Sequence, residues 1–297
     1  MLGWRLTVSA IVIPLLVGVF VTDHKMGADA YVLLGVCLLL SIRGAWEMAH
    51  LLTTRSFRPN FPILAACSSA VVAAGWIGQW DASTIGTIGI GSLGLSMLTF
   101  SVCVLVLFLK GCIQYREPGQ SMETLGAEIL TVVYVGVLLI ITAQLRWLDG
   151  GATGYFALAS VVIAAKLGDV GGYTFGRLWG KKKLVPILSP GKTQVGGYGA
   201  LFGAALGSVL WLCFLGPKIT DTWNAWPIHW AIIYGVIIGA VGLVGDLCES
   251  LIKRDVEKKD SAQLMPGFGG LLDLLDSVLY AGPVAYILWL IYTKLLS

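Results

Sequence analysis

Charge is what this sequence lacks. Only 12% of its 297 residues are Asp, Glu, Lys or Arg, against roughly 25% in an average soluble domain. That shortage excludes an ordinary water-facing surface. The net charge of +3 is too small for a nucleic-acid binder, so no nucleic-acid partner is expected. Six cysteines, at 37, 67, 103, 112, 213 and 248, show no metal-ligand spacing and sit mostly in apolar runs. They read as small buried hydrophobes and offer no disulfide framework. The P-loop spacing and a GxGxxG after a strand are both missing.

What is present is oil. Hydrophobic residues make up 57% of the chain, and several apolar runs approach or exceed the roughly 20 residues that an α-helix needs to cross a bilayer. Nine spans are expected, at 6–21, 28–42, 62–80, 85–109, 125–145, 153–168, 196–216, 227–247 and 277–295. Lipid cannot satisfy a free backbone N–H or C=O, so each span must be helical. The fold expected is therefore all-α, a polytopic transmembrane helical bundle, with about five helices in 1–150 and a catalytic region in 151–297. The run 6–21 followed by Ala28-Asp29-Ala30 has some features of a signal peptide. The charged loop between run and cleavage site favours a retained helix.

Lys and Arg fix the expected orientation, because they are retained on the cytoplasmic side. Across alternating loops, Lys25, Arg146, Lys218 and Lys294 lie on one side and the other sixteen of the 20 basic residues lie on the side of the N-terminus. This predicts a cytoplasmic N-terminus and an external C-terminus.

Small residues recur at four-residue spacing at Gly199, Gly203 and Gly207, and at Gly235 and Gly239, as in closely packed membrane helices. The Gly-, Ser- and Thr-rich segment from Gly86 to Gly94 reads the same way.

Two segments on the basic side are chemically dense. The first, 166–204, follows an apolar span, so Lys166 and Asp169 arrive at or just inside the membrane surface, where ionisable groups are costly and mark function. Gly171, Gly172, Gly176 and Gly180 follow among basic residues, then Ser189-Pro190-Gly191-Lys192-Thr193. Glycines let backbone N–H groups approach a phosphate and Lys or Arg neutralise it. The run Lys181 to Lys183 serves equally well as an anchor to anionic lipid head groups.

The second segment, 245–277, holds eleven charged residues between Asp246 and Asp276. On a helix continuing past Gly245, Asp246, Glu249, Ser250 and Lys253 share one face, with Arg254 beside it. Pro266, Gly267, Gly269 and Gly270 then break the helix, and a new one begins near Leu271 with Asp273 and Asp276 in its first turns. Acids lie at the membrane-proximal ends and bases between them. Asp246, Asp273 and Asp276 beside Lys and Arg suit Mg²⁺ and a polyphosphate, since Mg²⁺ takes oxygen ligands and is commonly shared between carboxylates and substrate phosphate.

These residues resemble the signature of the phosphatidate cytidylyltransferases. That signature runs approximately S-x-x-K-R-x4-K-D, a Pro-Gly-His-Gly-Gly turn, then x-x-D-R-x-D-S. It is matched by Ser250, Lys253, Arg254, Lys259, Asp260, Pro266, Gly267, Gly269, Gly270, Asp273, Asp276 and Ser277. The family's upstream D-T-G-A-Y…G-R…G-K…S-P-K-K-T segment is matched by Asp169, Gly171, Tyr173, Gly176, Arg177, Gly180, Lys181, Ser189, Pro190, Lys192 and Thr193. Phe268 stands in place of the usual His, Leu274 in place of Arg, Gln194 and Val195 in place of Trp-Glu, and Gly168 in place of Asn.

The resemblance implies condensation of CTP with phosphatidic acid to give CDP-diacylglycerol and pyrophosphate, at the cytoplasmic face of a membrane, expected to be a bacterial inner membrane. It implies Asp246 and Asp273 as principal Mg²⁺ ligands with Asp276 completing the site, and a metal pair is compatible with it. Lys253, Arg254 and Lys192 are expected on the triphosphate. Ser189 and Asp169 are expected to orient nucleotide or metal, with Ser250 and Lys259 also on the substrate. Arg177 and Lys181 are expected to draw in the lipid head group. A homodimer stays open. The rivals are a CTP-dependent polyprenol kinase and a non-catalytic membrane protein.

Overall fold

The computed structural model describes residues 2–54, 58–81, 90–151, 153–219, 225–262 and 269–295. Arg55, Pro266, Gly267, Phe268 and the Gly86-to-Gly89 part of the small-residue segment lie outside the described residues.

Nine long helices run through the described residues. They are α1 (Leu2–Met26), α2 (Tyr31–Thr53), α3 (Phe61–Trp80), α4 (Ser92–Gln114), α5 (Ser121–Leu148), α6 (Gly154–Trp179), α7 (Gln194–Ile219), α8 (Ile228–Asp255) and α9 (Leu272–Leu295). All but α1 are long and apolar enough to cross a membrane, and α1 encloses the expected first span. This is an integral membrane protein. Two spans are not regular throughout: α5 passes through a π-helical turn at Val133–Val137 and α7 through another at Leu210–Leu215.

The chain packs as two compact units, Met1–Ile141 with Val256–Leu274, and Thr142–Asp255 with Leu275–Ser297. The 166–204 segment lies wholly in the second unit, whereas 245–277 is divided between the two.

In the first unit α3 packs between α2 and α4. Asn60 caps α3 by accepting the Ile63 N–H, with Pro62 in the first turn where its missing N–H costs nothing. The indole N–H groups of Trp76 and Trp80 close the bend between α1 and α2 by donating to Ala30 O and Asp29 O at 3.0 and 2.9 Å. Lys110 of α4 forms a buried ion pair with Glu128 of α5, which also accepts the Asn60 N–H.

In the second unit α6 and α7 form the closest helix pair, and α8 packs on both. Glycine makes this possible. A Cβ at Gly171 would overlap Gly199 O, and one at Gly203 would overlap Leu167 O. The Gly235 and Gly239 positions of α8 meet Ala205 Cα and Ala204 Cβ at 2.5 and 2.7 Å in the same sense. Backbones this close gain dispersion contact, which drives helix association in lipid. The four-residue glycine spacing is thus a packing device, as expected for 199–207 and 235–239.

The same observation corrects the reading of 166–180. Helix α6 does not stop at 168 but continues to Trp179, so Gly171, Gly172 and Gly176 lie on its face against α7 rather than in a phosphate-cradling loop. Between α6 and α7 the segment forms a short antiparallel hairpin, which the sequence pattern does not announce. Strand β1 (Lys183–Val185) pairs with β2 (Ser189–Thr193), placing Lys183 opposite Thr193 and Val185 opposite Ser189.

Candidate functional site

Thr193 sits at the junction of β2 and α7, where its hydroxyl accepts the Gly196 N–H and caps the helix. The cap fixes the preceding residue, Lys192, whose ammonium lies 2.7 Å from Asp246 Oδ2 on α8. One residue before Asp246, Gly245 allows α8 to cross α9 closely. A Cβ there would stand 2.5 Å from Tyr280 Cβ and 2.9 Å from Asp276 O. The crossing brings together oxygens of Asp246, Glu249 and Asp276, all within 4.8 Å of one another.

These three carboxylates form a site in the second unit. Asp246 is partly open to solvent, while Glu249 and Asp276 are only 2% and 5% exposed. Such burial is costly for an anion without a counter-charge. One is supplied by Lys253, one turn along α8, whose Nζ lies 2.6 Å from Glu249 Oε2. Beside the cluster, Lys166 of α6 donates to Asp169 Oδ2 at 2.8 Å and to Ser277 Oγ at 2.9 Å, and Ser277 Oγ lies 3.2 Å from the same Asp169 oxygen. Lys166 is therefore held by two partners on two helices.

The donor set fits a hard divalent cation. Oxygens on an octahedral Mg²⁺ are about 3.0 Å apart at adjacent positions and about 4.2 Å at opposite ones, from ligand distances of about 2.1 Å. Carboxylates already within 4.8 Å need only small side-chain rotations to share one. In the sequence Glu249 is only a member of the Asp246 helix face and not an expected ligand. Its i, i+3 spacing from Asp246 was the signal.

The other expected site residues divide between the units. In the second, Ser250 is buried on α8 next to Glu249. Arg254 donates from Nε to Leu188 O at 3.4 Å, tying the end of α8 to the hairpin turn. Ser189 opens β2, Lys181 is exposed just after α6, and Arg177 donates to the Tyr173 hydroxyl at 2.7 Å. In the first unit, Lys259 is exposed, and Asp273 is held by its own loop. Asp273 Oδ2 accepts Gly270 N at 2.7 Å, Ser261 N at 2.9 Å and Ser261 Oγ at 2.8 Å. Gly269, with φ +96°, makes the turn that delivers these donors.

Known proteins resemble this sequence. Over 245 residues the chain is 30% identical to a phosphatidate cytidylyltransferase of Mycobacterium bovis, covering 80% of this chain and 72% of that protein. It is 28% identical to one from Bacillus subtilis, covering 67% and 71%, and 34% identical to one from Chlamydia trachomatis over a shorter stretch, 56% and 55%. Residues 4–292, spanning both units and both dense segments, match the cytidylyltransferase family, and the chain belongs to that family.

Proposed function

We propose that this protein is a phosphatidate cytidylyltransferase, joining CTP to phosphatidic acid to form CDP-diacylglycerol and pyrophosphate. The observation that carries this reading is the carboxylate cluster Asp246, Glu249 and Asp276, with Lys192 and Lys253 already seated on it, in a chain that belongs to the cytidylyltransferase family. Paired acids and bases of this kind suit a polyphosphate whose charge is shared with a metal.

A phosphate oxygen of phosphatidic acid attacks the α-phosphorus of CTP. The bond from that phosphorus to the β-phosphate oxygen breaks, and pyrophosphate leaves with the electron pair. No protein nucleophile is required, because the lipid phosphate is an anion at neutral pH. The protein's contribution is positioning and neutralisation of charge. Lys192 and Lys253, now paired with Asp246 and Glu249, would bind the triphosphate, and Arg254 lies one residue beyond Lys253 on the same helix end. Asp169, held by Lys166, and Ser189 orient the nucleotide, with Ser250 and Lys259 supporting it. Arg177 and Lys181, both exposed, meet the lipid phosphate. Asp246, Glu249 and Asp276 would hold Mg²⁺, with Asp273 as the further carboxylate implied by the signature. The bound ion would polarise phosphate oxygens and offset charge in the transition state.

The two substrates demand an interface, since one carries acyl chains and the other is a soluble polyanion. The distribution of Lys and Arg across the loops supports a cytoplasmic N-terminus with the site on the same side. In intact cells, a Lys181→Cys variant should resist a membrane-impermeant thiol reagent until the cells are opened; labelling from outside would reverse the orientation.

The reaction is tested by incubating purified protein with Mg²⁺, phosphatidic acid and CTP labelled at either the α or the γ phosphate. Label from the α position should enter lipid. Label from the γ position in lipid would mean a kinase, and no label in lipid would end the enzymatic reading.

A further inference from the structure

Glu47 lies on α2, far in sequence from both dense segments, and is 0% exposed. Its carboxylate is fully employed within the first unit. Oε1 accepts the Leu271 N–H at 2.9 Å and pairs with Arg43 Nη2 at 3.0 Å. Oε2 accepts the Leu272 N–H at 3.0 Å and lies 2.9 Å from Ser261 Oγ, whose one proton it shares with Asp273 Oδ2. Leu271 and Leu272 open α9, so Glu47 satisfies two of the amide groups that a helix start leaves without an intrahelical partner. An acid is favoured there by the helix dipole as well.

Ser261 links this anchor to the signature. Its hydroxyl lies between Glu47 Oε2 and Asp273 Oδ2, and its backbone N–H is a donor to the same Asp273 oxygen. Gly270 completes the arrangement. A Cβ there would overlap both Ser261 Oγ and Glu47 Oε2, and a Cβ at Gly269 would stand 2.5 Å from Asp273 Oδ2. The paired glycines of the turn are small because two carboxylates and a hydroxyl occupy the space that side chains would fill.

We propose that Glu47 is a positioning residue for cytidylyl transfer, fixing through Ser261 and the first turn of α9 the direction of the Asp273 carboxylate. The inference rests on the reaction proposed above. Glu47 does not touch substrate; it acts through Asp273. Stability alone would be served by a local cap such as Ser or Asn. A buried acid from a helix more than 200 positions away, with its own arginine, instead holds the loop at a set distance from α2.

The test uses the full chain in detergent, with wild type, Glu47→Gln, Ser261→Ala and the double variant. Glu47→Gln should remain monodisperse, with Tm below wild type because its amide N–H groups face donors where an acceptor oxygen stood. Its kcat should fall at least tenfold, while KM for phosphatidic acid stays within twofold. Ser261→Ala should show the same split to a smaller degree, and the double variant should be no slower than Glu47→Gln. A folded Glu47→Gln with wild-type kcat, or losses that multiply in the double variant, would overturn the proposal. If Glu47→Gln does not fold, Ser261→Ala decides by the same kcat-to-KM criterion. If the wild type itself transfers no label, the proposed reaction fails, and the anchoring is judged by amide exchange. Exchange in peptide 269–274 should then rise at least tenfold in Glu47→Gln with the rest of α2 and α9 unchanged, and unchanged exchange there would refute it.

Discussion

Lys192 Nζ lies 2.7 Å from Asp246 Oδ2, so the residue just before α7 is joined to the acid-bearing face of α8. The pair is partly open to solvent, at 18% and 36% side-chain exposure. Exposed pairs contribute about 0–1 kcal/mol to stability, and a half-open one stays near the top of that range. On the function proposed above, the value of this pair is placement of a cation where a triphosphate would meet the carboxylates. Lys192→Met should leave Tm within about 2 °C, since about 1 kcal/mol at most moves a protein of this size little. It should lower kcat by about 10²-fold or more, as loss of one pre-set transition-state contact does. Steady-state kinetics beside a thermal melt would check both.

Glu249 is the carboxylate most enclosed in the cluster, and its partner Lys253 is nearly as buried. If the cluster holds Mg²⁺, adding the ion without substrate should raise Tm by mass action on the folded state. Glu249→Gln should shrink that rise and increase the Mg²⁺ concentration needed for half-maximal rate. Chelation should abolish turnover, and added Mg²⁺ should restore it. A Lys253→Met change should behave differently. It strips an ammonium from a buried acid, and breaking such pairs costs about 3–5 kcal/mol, so Tm should drop sharply along with activity.

Gly171 faces the α7 backbone so closely that any Cβ overlaps Gly199 O. Gly171→Ala should force the two helices apart, at an overpacking cost of about 1–3 kcal/mol, visible as lower Tm and lower yield of monodisperse protein. Gly111 of α4 is the control, because a Cβ there meets nothing within 4 Å. Gly111→Ala should leave Tm unchanged or raise it, as helix propensity alone dictates.

The parts of this molecule legible in its sequence are those governed by local rules. Hydrophobic run length gave the spans, and four-residue glycine spacing gave the α6–α7 and α7–α8 contacts on one side of each pair. The face shared by Asp246, Glu249 and Lys253 followed from helix periodicity. What was missed depends on where helices end. Hydropathy falls at Arg43 and again after Leu167, which places the expected end of the second span at 42 and of the sixth at 168. In the structure α2 continues to Thr53, with Glu47 buried against Arg43 and the Leu271 and Leu272 amides, and α6 continues to Trp179, with Asp169, Tyr173, Thr174 and Arg177 exposed on the added turns. Glu47 lay hidden in the first of these extensions. The donors that make it useful, from Ser261, Leu271 and Leu272, are separated from it by more than 200 positions. No pattern within a single segment reveals them.

Gly245 and Gly242 test how the carboxylates are brought together. Both lie on the side of α8 that meets α9, three residues apart, but the room at each differs. At Gly242 a Cβ would have ordinary contact, 3.6 Å from Ser277 Cβ, whereas at Gly245 it would stand 2.5 Å from Tyr280 Cβ. Gly242→Ala should therefore be close to neutral. Gly245→Ala must push α8 away from α9, and because Asp246 follows immediately, the displacement moves Asp246 and Glu249 away from Asp276. The expected signature is loss of the Mg²⁺-induced rise in Tm and a fall in kcat of at least about tenfold, since misplacement by an ångström can cost 10²-fold. If Gly245→Ala retained both while Gly242→Ala lost them, the helix crossing would not be what assembles the cluster.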